Sequence, residues 1–177
     1  MSGSMEIVQT VLREVENHVA FCAQFGISKD ELLATEESLA NTAYNRYVLD
    51  ISNRGDILDC LVVTAPCLIG YGHMGQRLAR EKTIEQGGWV DRSEKNAVYT
   101  KWCDEYAGEW FQGAVRTGIE LLEETVRESP VSQKRLAELA EIFVTASRLE
   151  VEFWDEACRV GGWPTAAEQV ELDAKQA

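Results

Sequence analysis

An all-α helix bundle is the fold class this sequence predicts, on three grounds. Apolar residues recur at helical spacing through one long stretch after another, with charged residues between them. Only three prolines interrupt 177 residues. No internal repeat, low-complexity tract or linker divides the chain, so one helical domain over 1–177 is expected, with 1–5 as a leader or remnant. That length is enough to bury a real core.

The first helix is expected from Met5 to Phe25, where Val8, Val11, Leu12, Val15, Val19, Cys22 and Phe25 form a stripe and Gly26 is a natural C-cap. His18 borders the stripe and reads as a satisfied structural histidine or a ligand. Ser28 to Glu31 fits a capping box for a short helix. A further helix over Ser38–Ser52 sets Tyr44, Tyr47, Val48 and Ile51 on one side. Asn53–Asp56 reads as a turn into a central helix ending near Arg80. Thr83–Asn96, with Gly87-Gly88 and several charges, is expected to be a surface loop. Ala97–Glu128 follows as one helix with an aromatic stripe of Tyr99, Trp102, Tyr106 and Trp110 or Phe111. Such stripes build cores, but tyrosine hydroxyls need partners, which suits a polar pocket. The last long helix spans Ser132–Val160; Gly161-Gly162 and Pro164 stop it, before a short final helix or frayed end.

Two positions carry chemistry. Pro66 interrupts the central helix, and the Val62 carbonyl loses its partner there, so the backbone is expected to deform. Cys67 follows directly, and Tyr71 lies one turn later on the same face. Gly70, Gly72 and Gly75 each cost about 1 kcal/mol in helix propensity. That implies a closely packed helix or room for a ligand. Alone, Cys67 would read as a small core residue; this company makes it a candidate nucleophile. The second position is Glu150, in a core-facing slot between Ala146 and Phe153-Trp154. A carboxylate aimed at an apolar core is expensive unless paired, and burial raises its pKa; the bland alternative is a place at the stripe's edge.

Bulk properties narrow the partners. A formal net charge of −13 repels phosphate backbones and argues against nucleic acid. The longest uninterrupted apolar run is far short of a membrane span, and no secretory signal is visible. The five cysteines, Cys22, Cys60, Cys67, Cys103 and Cys158, include no CxxC, and there are two histidines. Neither a disulfide framework nor a metal site is suggested, and reduced thiols fit a cytoplasmic protein.

Several stretches together resemble the TenA family, the thiaminase II or aminopyrimidine aminohydrolase proteins. Ala65-Pro66-Cys67-Leu68-Ile69-Gly70-Tyr71-Gly72 looks like its nucleophile helix. Tyr99, Trp102, Tyr106 and Trp110-Phe111 resemble its next motif, Glu150 with Phe153-Trp154 its closing one, and Thr42-Ala43-Tyr44 with Tyr47 an earlier one. The wording around Cys67 most resembles the fungal branch, where such a domain is often fused behind a hydroxymethylpyrimidine kinase.

The resemblance implies a fold like that of haem oxygenase. It also implies a thiamin-salvage hydrolase that cleaves the C–N bond of aminopyrimidines or thiamin. Cys67 would be the nucleophile adding to the pyrimidine ring and Glu150 the group exchanging protons with its nitrogen. Tyr44, Tyr47, Tyr71 and Tyr106 would line the substrate pocket, with no metal or organic cofactor. Family members open with further helices carrying an aspartate that grips the aminopyrimidine, and Met1–Gln9 holds no stand-in. An N-terminally shortened member is therefore expected, as a truncated product or with the missing wall supplied by another chain. Exposed apolar faces would then favour a homo-oligomer. Two other classes stay open: a non-catalytic ligand-binding or regulatory module, and a haem-binding bundle using His18.

Overall fold

The computed structural model describes residues 2–81, 83–88, 90–93 and 96–176. Its helices are α1 (Ser2–Ala23), α2 (Lys29–Ala34), α3 (Leu39–Arg54), α4 (Ile57–Ala65), α5 (Tyr71–Arg80), α6 (Ala97–Ala107), α7 (Glu109–Glu128), α8 (Gln133–Gly161) and α9 (Ala166–Gln176). A π turn, Pro66–Gly70, joins α4 to α5, and a 3-10 turn spans Ile84–Gln86. Among the described residues there is no strand, only one isolated bridge pairing Thr83 with Val90. The chain is all-α, as its periodicity predicts. Trp89, Glu94 and Lys95 of the expected loop lie outside the described residues, as does the side chain of Val11 in the first stripe.

Helix ends follow local chemistry. Ser28 and Glu31 cap α2 reciprocally: the Glu31 N–H donates to Ser28 Oγ at 3.2 Å, and the Ser28 N–H to Glu31 Oε2 at 3.1 Å. Asp56 and Asp59 form the same device at the start of α4. Gly26, at φ 79°, closes α1, where the Ile27 N–H reaches the Cys22 carbonyl at 3.2 Å. The helix itself begins at Ser2, earlier than expected, because nothing in Ser2-Gly3-Ser4 stops it. One expectation is corrected. The single helix over Ala97–Glu128 is two, broken at Gly108, which is extended at φ −70° and ψ 156°. Its carbonyl accepts the first bond of α7 from the Gln112 N–H at 3.0 Å. The aromatic stripe runs on through Trp110 and Phe111, which hides the break from a reading by periodicity.

The described residues gather into two compact units, one of Met1–Glu36 with Leu68–Glu128, the other of Glu37–Cys67 with Ser129–Ala177. The first holds α1, α2, α5, α6 and α7 around buried Tyr106, Phe111 and Val115, with Leu68, Ile69, Tyr71, Trp102 and Trp110 packed against them. Here α5 approaches very closely: a Cβ on Gly75 would lie 2.6 Å from the Tyr106 carbonyl carbon, which is why glycine stands there. The α1 stripe is only partly used. Phe21 meets Tyr99 and Trp102 at ring-centroid distances of 6.1 and 6.3 Å, whereas Val8 and Leu12 are 54% and 62% exposed.

The second unit holds α3, α4, α8 and α9. Ile51, Val63 and Ala146 are its buried centre, and Tyr44, Tyr47, Val48 and Ile142 pack around them. Asp59, 5% exposed, is paired with Arg135 of α8.

The helical run Ile57–Arg80 has 24 residues and a window of mean hydropathy 1.5, so by length and composition it could cross a membrane. Counting uninterrupted apolar residues misses it. Core helices of globular proteins meet the same criterion.

Candidate active site

Pro66 shapes the site. It keeps helical dihedrals, φ −57° and ψ −44°, but its ring and missing N–H disturb the bonding ladder, which widens to π spacing over Pro66–Gly70. The expected interruption is thus a π turn, a feature frequent at functional sites. Pro66 itself is buried and Cys67, the next residue, is exposed. The other four cysteines are all half-buried. Exposure of Cys67 removes the reading of this thiol as core filler. Beside it Gly70 faces open space, with no atom within 4 Å of where a Cβ would stand, while Gly72 and Gly75 serve close packing.

Three of the candidate residues come together in the second unit. Tyr44 projects from α3, Glu150 from α8 one turn beyond fully buried Ala146, and Cys67 stands in the π turn. Tyr44 Oη and Glu150 Oε2 are both sealed from water. The phenol of Tyr44 is pushed far above its ordinary range, by burial first, then by hydrogen bonding and charge from the Glu150 carboxylate, then by the charge of Cys67. One hydroxyl therefore senses both the thiol and the carboxyl. Glu150 is half-buried, with Oε2 out of bulk water. A phenol so disfavoured from ionising acts as a hydrogen-bond donor.

The remaining tyrosines separate into other surroundings. Tyr47 packs on the Ile51–Val63–Ala146 centre and borders a hollow with Arg54, Asp59 and Arg135. Tyr71 and Tyr106 belong to the first unit, with ring centroids 5.4 Å apart. Tyr106 is 7% exposed, and its hydroxyl donates to Glu14 Oε1 at 2.8 Å. His18 lies with Nε2 3.7 Å from that same oxygen, so its ring is engaged by Glu14.

Sequence reading missed several residues. Glu14 is held below the usual carboxylate range by His18 and then by Tyr106, against its own burial. The signal was the i, i+4 pairing of Glu14 with His18 beside the apolar stripe. Buried Gln112 fastens α5 to α6: its Nε2 donates to the Gly72 carbonyl at 3.0 Å and the Tyr106 carbonyl at 2.8 Å, and its Oε1 accepts from Gln76 at 2.7 Å. The Asp59–Arg135 pair, 2.6 Å apart, had no local signal, because its partners are far apart in sequence.

Comparison with known proteins places this architecture. The TENA/THI-4/PQQC family profile matches residues 2–160. A Schizosaccharomyces pombe protein named as a hydroxymethylpyrimidine/phosphomethylpyrimidine kinase is 39% identical over 145 residues, 82% of this chain and 24% of that protein. An aminopyrimidine aminohydrolase of Halalkalibacterium halodurans is 32% identical over 164 residues, 92% of this chain and 68% of the relative. A solved structure from Silicibacter sp. TM1040, described as a TenA family transcription regulator, matches with TM-score 0.69 and 35% identity over 81% of this chain and 60% of that one. The chain thus spans about a quarter of the first relative and about two thirds of the second. With a family match over most of its length and an all-α fold shared with solved members, this chain belongs to the TENA/THI-4/PQQC family.

Proposed function

We propose that this chain is a thiamin-salvage hydrolase of the thiaminase II type, acting on an aminopyrimidine or on thiamin. The convergence of an exposed Cys67 and a Glu150 carboxyl with one oxygen sealed from water on the Tyr44 hydroxyl carries the reading. An electron-poor pyrimidine accepts a soft thiolate well if an acid neutralises the ring nitrogen as charge develops there.

In the proposed reaction the Glu150 carboxylate takes the thiol proton, and Cys67 Sγ forms a bond to a ring carbon. Glu150 then returns the proton to the ring nitrogen. The C–N bond at the exocyclic methylene breaks, its electron pair leaving with the nitrogen of the protonated amine as ammonia. Water adds at that methylene and releases a proton, the ring nitrogen gives its proton back to Glu150 as the sulfur leaves and the ring becomes aromatic again, and the net change is amine and water to alcohol and ammonia. For thiamin the leaving group is the thiazole. Tyr44 donates a hydrogen bond, and Tyr47, Tyr71 and Tyr106 are assigned to the substrate pocket by family resemblance. The reading includes no nucleic-acid or membrane partner, a cytoplasmic location, and a homo-oligomer supported by exposed apolar side chains such as Leu12 and Leu39.

The test is hydrolysis of aminomethylpyrimidine and of thiamin by the wild type, Cys67→Ser and Glu150→Gln. Turnover that disappears in Cys67→Ser is expected. Pyrimidine binding without turnover in the wild type would instead make the chain a ligand-binding module.

A further inference from the structure

Gln112 is a buried polar side chain that the reaction proposed above does not use. It stands in the first turn of α7, just past the break at Gly108, and its amide reaches two other helices. Nε2 donates to the Gly72 carbonyl of α5 at 3.0 Å and to the Tyr106 carbonyl of α6 at 2.8 Å. Both N–H bonds of the amide are thereby used, and Oε1 accepts from Gln76 Nε2 of α5 at 2.7 Å. The partners fix which way the amide faces: carbonyls can only accept, so Nε2 must point to them and Oε1 to Gln76. Gln76 is held in turn, because its own Oε1 accepts from Arg80 at 3.3 Å. A buried amide engaged at both donors and at its oxygen has one orientation and little freedom to leave it.

The two carbonyls mark what this amide fastens. Tyr106 lies in the last turn of α6, which stops at Ala107, so its carbonyl has no helical partner further on. Gly72 directly follows Tyr71 and passes very close to α7. A Cβ there would stand 2.6 Å from Val115 Cγ2 and 3.3 Å from Gln112 Nε2. Gln112 therefore ties the first turn of α5 to the end of α6, and those are the segments that carry Tyr71 and Tyr106. The two rings lie with centroids 5.4 Å apart at 44°. Tyr106 is buried and Tyr71 half-buried, so Tyr71 is the one of the pair with surface left for a ligand.

We propose that Gln112 is a positioning residue for substrate binding, which holds the first turn of α5 against α6 and α7 and so sets where Tyr71 stands. On the hydrolase reading, on which this assignment rests, Tyr71 lines the pyrimidine pocket. Gln112 itself touches no substrate. A tyrosine that lines the pocket holds the ring in the ground state and the transition state alike, so misplacing it weakens binding and leaves the chemistry of the bound complex unchanged.

The test is calorimetric titration of hydroxymethylpyrimidine into the full chain, beside steady-state hydrolysis of thiamin. Gln112→Met keeps the length of the side chain and removes all three hydrogen bonds. Kd and KM should rise about tenfold, with kcat within about twofold of wild type. Tyr71→Ala separates positioning from general loosening. In the double variant Gln112→Met with Tyr71→Ala the losses should not multiply, because the ring through which Gln112 acts is gone. Gln76→Ala removes only the bond to Oε1 and should weaken binding in the same direction by less; where circular dichroism shows Gln112→Met unfolded, Gln76→Ala decides. A wild type that binds the pyrimidine without turning over thiamin would overturn the hydrolase reading, while the Kd comparison still tests Gln112. No binding by the wild type, an unchanged Kd in the folded variants, losses that multiply in the double variant, or a fall in kcat with KM unchanged would overturn the positioning role.

Discussion

Replacing Arg135 by Met tests how the second unit is held together. The Arg135 guanidinium reaches Asp59 Oδ2 at 2.6 Å and Asp56 Oδ1 at 3.1 Å. Methionine keeps much of the aliphatic stem and removes the charge, leaving Asp59 buried with the Asp56 N–H, at 2.8 Å, still donating to it. Breaking a buried ion pair from one side costs about 3–5 kcal/mol, because the other charge stays behind. Arg135 is 26% exposed, and the surviving N–H bond offsets part of the loss, so about 2–4 kcal/mol is expected. The effect must depend on pH. Arg135 is the main cause holding the Asp59 carboxyl below its usual range. A depressed folded-state pKa gives stability that is fully present above the unfolded value of about 3.9 and is lost as pH falls through the folded one. Urea unfolding followed by far-UV circular dichroism should therefore show a large gap between wild type and Arg135→Met at neutral pH. The gap should close in acid below both values. A neutral-pH loss under about 0.5 kcal/mol, the level of an exposed pair, or a gap of equal size in acid would refute the reasoning.

Cys67→Ser should abolish turnover with the helical spectrum unchanged, and iodoacetamide should modify exposed Cys67 before the half-buried thiols; retained hydrolysis would remove the nucleophile assignment. Glu150→Gln should fold normally and lose roughly 10²–10⁴-fold in turnover, as for a lost general acid, while Glu150→Leu should keep or gain stability; full activity in both would make Glu150 a bystander. Gly75→Ala should cost about 2–3 kcal/mol, because its Cβ would meet α6 backbone at 2.6–2.7 Å, and Gly118→Ala under about 1 kcal/mol, because its Cβ would meet only the tip of Leu68. Denaturant midpoints compare the two, and equal losses would count against the packing argument.

What the sequence made legible was local. Ser28 with Glu31, Gly26 and Gly162 announce helix ends through the few atoms around them, and each end lies within a residue or two of its expected place. Glu150 was legible for a different reason: a carboxylate in phase with Leu139 and Ala146, both buried, has nowhere to point but inward. Gly108 was illegible because one extended residue leaves the apolar period on either side almost unshifted. The exposure of Val8 and Leu12 was illegible too, since a stripe tells which face is apolar and not what will cover it. Long-range partners fail most completely. Nothing near Tyr106 in sequence names Glu14, and nothing near Asp59 names Arg135.

The three residues around Tyr44 also divide the chemistry among themselves on the proposed hydrolase reading. A thiolate must be generated where substrate can reach it, and Cys67 is exposed. The proton it gives up must be kept from solvent if it is to return to the ring nitrogen, and Glu150 Oε2 is sealed from water. A third polar group near both would short-circuit the exchange if it could itself ionise. Tyr44 is prevented from doing so by its burial and by the negative charge of both neighbours. Its O–H can then stabilise negative charge on sulfur or carboxylate without giving up its own proton. One acid–base group is therefore enough for two transfers, thiol to carboxylate and carboxylate to ring, provided the phenol stays neutral throughout. The high cost of ionising Tyr44 is thus what lets Glu150 serve both steps.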